Sequence, residues 1–283
     1  MTKGPLLQTK WGQGEPWNTC VPYAYDNTQR CPTGCVAVAG SQMLYYLHYK
    51  LGMPETSWET GSCTGSSGEV IHNYHFSFGR RTSATWDTMA TRFYQSSTAT
   101  DLAAILMGYV GSKIGMDYTK DRSGADTKYL VGFFLGEGIQ SNFTDYNSTD
   151  ILGSLSNDMP VILSAKSTVH HVKFLGMTLY TWYEDGHAWV ADGYERQQTK
   201  YTYYYEWLPA DGANSPLKAR PVDLMEQTYK TEESISTTNL LIMNWGWDGS
   251  ADNGRYTLTG DWNATSTYNF VYNRKMIINF AKK

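Results

Sequence analysis

Two kinds of patterning divide this chain. Up to about residue 155, apolar residues recur at helical spacing. From Val161 onward they fall in short strand-like runs. The spacing of Val36, Ala39, Gly40, Met43 and Leu47 predicts a helix from Cys35 to Lys50, ended by Gly52 and Pro54. Further helices are expected over residues 100–111 and 127–135, and from about Thr149 to before Pro160. Strands are expected at 161–163, 187–194, 201–208, 240–245, 255–258 and 270–280, and a loop at 61–68. Helices first and strands second argue for an α+β fold, with a helical lobe (20–155), an antiparallel β-rich lobe (160–283) and a cleft between them. Residues 1–283 read as a single domain. Pro209, Gly212, Pro216 and Pro221 mark 197–238 as an insertion within it, expected to hang off the cleft-bearing lobe, where it could gate access. The piece from His170 to Asp185 is expected to form a flap before His187.

Composition narrows the function. With 27 acidic and 23 basic residues the net charge is -4, so no basic face argues for nucleic acid. No apolar run reaches the roughly 18 residues that a membrane span needs. The four cysteines, Cys20, Cys31, Cys35 and Cys63, form no C-x-x-C pair, and no H-x3-5-H pattern follows them, so neither a metal nor a cofactor is expected. Cys20 and Cys31 could pair in an exported protein, which would leave Cys35 free.

Three short segments carry the chemistry. In Pro32-Thr33-Gly34-Cys35-Val36-Ala37 a cysteine opens a long helix, where the helix dipole and unpaired N–H groups favour a thiolate. A buried, inert cysteine would fit that segment alone equally well. In Gly186-His187-Ala188-Trp189-Val190 a histidine begins a strand just after a glycine that lets a substrate backbone approach. In Asn244-Trp245-Gly246-Trp247 an asparagine closes a strand, and its carboxamide could orient an imidazole while Trp245 shields the bond. Taken together, a nucleophile, a base and an orienting group follow one another in papain-like order, with Cys35 and His187 152 residues apart.

These motifs, with the lead-in Trp11-Gly12-Gln13 and Glu15-Pro16-Trp17-Asn18, resemble the streptopain/interpain family of secreted bacterial papain-like cysteine proteases. The resemblance runs from near Gly4 to the last strands. It implies a papain-like two-lobed fold, one catalytic domain over residues 1–283, and a cysteine endopeptidase that works through a Cys–His ion pair. Cys35 would be the nucleophile, His187 the general base and then acid, Asn244 the orienting residue and Trp245 its cover. Gln29, six residues before Cys35, would stand at the papain spacing for the oxyanion glutamine. Met116 to Gly124 would line the substrate groove.

The resemblance further implies protein or peptide substrates, a preference for a bulky apolar side chain two positions before the cleaved bond, and an inhibitory prodomain in a zymogen precursor. It implies a secreted, periplasmic or cell-surface location, the leader being absent from this chain. The chain begins where the family's mature enzymes begin. One departure stands out: 57 residues separate His187 from Asn244, more than the family needs, which the insertion accounts for. Two other readings are a thiol transferase or amidase on the same fold, and a non-catalytic glycan-binding module that uses the 22 Tyr and 10 Trp.

Overall fold

The structure is a computed structural model. It describes residues 1–24, 26, 28–53, 56–57, 61–63, 74–76, 80–81, 83–89, 97–174, 177–205, 230–250 and 254–283. Proline-bearing residues 209–221 of the expected insertion, and most of the expected 61–68 loop, lie outside these. The described part of that loop, Gly61–Cys63, is a short strand instead.

In chain order the elements are β1 (Thr2–Lys3), α1 (Cys35–Lys50), β2 (Thr56–Ser57), β3 (Gly61–Cys63), β4 (Tyr74–Phe76), β5 (Arg80–Arg81), α2 (Ser83–Thr88), α3 (Ser97–Lys113), β6 (Asp117–Tyr118) and β7 (Ser123–Gly124). There follow α4 (Tyr129–Gly136), β8 (Ile139–Asp145), α5 (Ser148–Ser156), β9 (Val161–Phe174), β10 (Met177–Tyr205), β11 (Lys230–Asn244), β12 (Gly254–Thr257) and β13 (Tyr272–Lys282). The molecule is α+β, as the patterning predicts. The chain divides into two compact units, one of residues 1–195 with 240–283 and one of 196–239.

Seven strands form one sheet in the order β12-β11-β10-β9-β13-β8, with β1 paired to β10. The β10–β9 pairing is antiparallel and sets Gly186 opposite Lys166, His187 opposite Ala165 and Trp189 opposite Leu163. Side chains alternate between faces along each strand. Ile162, Ala188 and Val190 therefore join the core built on α1, α3 and α4. Leu163, Ala165, Trp189 and Ala191 join a second core with Trp245, Trp262, Phe270 and α5.

The expected flap is instead part of the sheet. His170 to Phe174 extends β9, and Met177 onward extends β10. Cross-strand contacts fasten the ribbon: His170 Nε2 lies 3.1 Å from Glu184 Oε2, and His171 Nδ1 lies 3.0 Å from Thr181 Oγ1. Its β-branched and aromatic residues suit a pleated ladder better than a loop.

Helix α1 is buried nearly all round, from Val36 to Leu44 and again at Leu47 and His48. A helix apolar on every side belongs inside a protein. Gly40 allows this, because a Cβ there would sit 2.5 Å from Leu130 Cδ2 and 3.2 Å from Val110 Cγ1. Five of the ten tryptophans, Trp11, Trp17, Trp189, Trp245 and Trp262, are fully buried core residues and offer no face to a sugar.

Candidate active site

Cys35 is the first residue of α1. Gly34 precedes it with φ 89°, a left-handed conformation that glycine adopts without strain. The turn lifts the chain from the lead-in onto the buried helix and leaves Cys35 half-buried at its positive end. The thiol is free. Burial pushes its pKa up. The N–H groups of Ala188, Val36 and Cys35 itself, and then the charge of Lys166, pull the other way.

His187 lies across the same cavity, which is about 960 Å³ in volume. Only 7% of the residue is exposed. Its Nε2 is 2.8 Å from the main-chain carbonyl oxygen of Trp245. A carbonyl can only accept, so Nε2 carries the proton and Nδ1 is the basic nitrogen of the neutral ring. Rings enclose the imidazole: the centroid of Trp247 is 4.8 Å away, that of Phe270 5.4 Å and that of Trp189 5.9 Å. This burial lowers the His187 pKa to about 4, against the opposing pull of the Trp245 carbonyl. Cys35 and His187 line one cavity, but the described structure holds no hydrogen bond between them. Both shifts favour a thiol and a neutral imidazole over the ion pair that the resemblance implies.

Asn244 does not make the bond expected of it. Its Oδ1 accepts from Gln42 Nε2 at 3.3 Å and from the Gly246 N–H at 3.2 Å, while its Nδ2 donates to the Thr9 carbonyl at 2.8 Å. Thr9 Oγ1 in turn donates to Gln42 Oε1 at 2.9 Å. The reason is local geometry. Gly246 takes φ 71°, and the turn aims the Trp245 carbonyl, rather than the Asn244 side chain, at the imidazole. Asn244 is 1% exposed and ties the end of β11 to α1 and to the N-terminal lead-in. Trp245 is buried over this turn, its ring 6.1 Å from that of His187 and its Nε1 donating to Tyr256 at 3.1 Å.

Gln29 also departs from expectation. It is exposed, donates to the Lys120 carbonyl at 3.0 Å and is not among the residues lining the cavity. A different glutamine, Gln13, lines the cavity with Cys35. Its carbonyl accepts from the Thr33 N–H at 2.8 Å, which fastens it two residues before the nucleophile position. Its signal in the sequence was the flanking Gly12 and Gly14, in a segment otherwise read only as a lead-in. Gly12 is pressed against Asp248, where a Cβ would fall 2.5 Å from Oδ1, so the lead-in sits against the loop that follows Trp247. Residues 117, 119 and 121–124 line the cavity as well.

No helix among the described residues is long and apolar enough to cross a membrane. No curated protein matches the chain. Among solved structures, active interpain A cysteine protease of Prevotella intermedia superposes with a TM-score of 0.62 at 22% identity, over 98% of this chain and 94% of that one. A prointerpain A fragment from the same organism gives 0.59 at 20% identity, over 100% of this chain and 73% of that one. At such identities the likeness establishes the papain-like α+β fold. The model of the Peptidase C10 family matches residues 11–256, a span that takes in Cys35, His187 and Asn244, and the chain belongs to this streptopain family of cysteine-type peptidases.

Proposed function

We propose that the protein is an endopeptidase that cleaves protein chains through an acyl-enzyme on Cys35. The observation that carries this reading is the shared cavity of Cys35 at the head of α1 and His187, whose Nε2 is held by the Trp245 carbonyl. Substrate binding would close the gap between thiol and ring. His187 Nδ1 takes the Cys35 proton, and sulfur attacks the scissile carbonyl carbon. The tetrahedral oxyanion is met by the Cys35 N–H and the Gln13 carboxamide. His187 returns its proton to the leaving nitrogen, the C–N bond breaks and the amine departs, leaving a thioester. Water then gives a proton to His187 and its oxygen to the carbonyl carbon. The C–S bond breaks, His187 passes that proton to the departing sulfur, and the acid product leaves with the thiol restored. In this reading Asn244 is a positioning residue that acts through the Trp245 carbonyl.

The family, and the occurrence of a prointerpain A form among the similar structures, support export from the cell and synthesis with an inhibitory prodomain. The test is labelling with an epoxysuccinyl thiol reagent, read by intact mass beside Cys35→Ala and alongside casein cleavage. One adduct and cleavage in the native protein, with neither in the variant, are expected. A folded native protein that takes no adduct and cleaves nothing would end the proposal.

A further inference from the structure

Among the described residues, two cations of the cavity, Arg122 and Lys166, form no ion pair, and Lys166 is the one set against the strand of His187. Lys166 is half-buried on β9 and lies directly across the β10 ladder from Gly186, the residue before His187. Because Gly186 has no side chain, the lysine stem lies over its backbone. A Cβ there would fall 2.9 Å from Lys166 Cδ and 3.0 Å from Cε, and nearer still to Nζ. The ammonium group is thereby set beside the imidazole residue and within electrostatic reach of the Cys35 sulfur.

Two further cavity cations differ. Lys128 pairs with Asp126 at 2.9 Å, and Lys275 pairs with Asp145. Among the described residues, Lys166 makes no hydrogen bond or ion pair. Asp126 lies within reach of its charge but is bonded to Lys128, and Asp185 accepts from Thr168 Oγ1 at 2.6 Å. A half-buried ammonium that no protein group hydrogen-bonds gains a direct partner when a ligand brings a carboxylate.

Building on the endopeptidase reading, we propose that Lys166 is a specificity-determining residue that selects peptides carrying an Asp or Glu side chain within two residues of the cleaved bond. The carboxylate would receive a charge-assisted hydrogen bond from Nζ over Gly186. A site that offers a free donor to a substrate side chain discriminates against substrates that leave it unbonded. A lysine at this place also makes basic side chains the worst occupants, through like-charge repulsion.

The test is cleavage-site profiling on a mixed peptide library, with the native enzyme, Lys166→Arg, Lys166→Met and Lys166→Glu. The readout is the ratio of kcat/KM for matched acidic and neutral peptides within each enzyme, which cancels any general effect of the charge on the thiol. Acidic residues should be enriched at one fixed position in the native profile. The ratio should survive in Lys166→Arg, fall about tenfold or more in Lys166→Met, and invert toward basic peptides in Lys166→Glu. An active native enzyme without acidic enrichment, or an unchanged ratio in Lys166→Glu, would overturn the assignment and leave the protease reading intact. Epoxysuccinyl labelling without any peptide cleavage would overturn it as well. Neither adduct nor cleavage would overturn both. Circular dichroism on each variant separates a lost preference from a lost fold.

Discussion

The imidazole of His187 is held by a main-chain carbonyl, that of Trp245, at 2.8 Å. A carbonyl cannot be removed by substitution, but the turn that aims it can be loosened. Asn244 accepts the Gly246 N–H and is itself braced by Gln42 and the Thr9 carbonyl.

Asn244→Ala should therefore act through the turn. It leaves the Gly246 N–H, the Gln42 amide and the Thr9 carbonyl short of partners in a buried place, and each such loss costs about 1–3 kcal/mol. A combined destabilisation of about 3 kcal/mol is expected in urea unfolding, together with reduced peptide hydrolysis. Gln42→Ala, which touches neither Trp245 nor His187 by hydrogen bond, should lower activity in the same direction. Full activity in a folded Gln42→Ala protein would count against this relay.

Burial sets the pH behaviour of the resting site. The folded pKa of His187, about 4, lies below the ordinary histidine value near 6.5. Folding thus favours the neutral ring. The associated stability is fully present above about pH 6.5 and is lost as pH falls from there through 4. The shift corresponds to roughly 3 kcal/mol. An NMR titration should show the His187 ring signals flat from pH 8 to about 5. Over the same range, stability measured in urea should decline on acidification, and His187→Phe should flatten that decline. A His187 resonance with a midpoint near 6.5 would contradict the burial argument.

The two glutamines separate cleanly by experiment. Gln13 lines the cavity, whereas Gln29 is exposed and bonded to the Lys120 carbonyl. Loss of one oxyanion donor typically lowers kcat by about 10²–10³. Gln13→Ala should show a loss of that order with KM little changed. Gln29→Ala should stay within about twofold of native, since an exposed side chain away from the chemistry contributes little. The reverse pattern in steady-state kinetics would return the role to Gln29.

Much of this arrangement could be read before the fold was seen, for local reasons. Cys35 declares itself by opening an apolar helix after glycine, and His187 by the glycine before it and the apolar run after it, although it lies within β10 and does not begin a strand as expected. The helix–strand division needs only the two periodicities. What stayed hidden depends on how separate segments meet. A spacing of six residues before the cysteine pointed to Gln29, yet the Thr33-to-Gln13 backbone bond brings in a residue far upstream. Asn244 was visible as a residue but not in its role, because the positive φ of Gly246 hands the contact to the neighbouring carbonyl. The Lys166 placement follows from the β9–β10 register, which no short motif encodes. The ribbon from His170 to Asp185 was expected as a flap because its strands pair mainly with each other, a pairing no short motif encodes.

Gly34 offers the sharpest test of how the nucleophile is positioned. Its φ of 89° is poorly tolerated by residues with a Cβ. A Cβ there would also stand 2.7 Å from Met116 Cε and 3.2 Å from the Ser123 carbonyl oxygen. Met116 can swing aside, but the backbone strain remains and the first turn of α1 must shift to relieve it. Gly34→Ala should destabilise the protein by about 2 kcal/mol, mostly from the forced conformation. Because Cys35 is the next residue, the shift moves the thiol relative to His187 and the Ala188 N–H. Epoxysuccinyl labelling of the folded variant should slow well beyond what the stability loss explains, while a surface-directed reagent on another side chain reacts at the native rate. Native-rate labelling of Cys35 in Gly34→Ala would show that the turn holds the helix without setting the nucleophile.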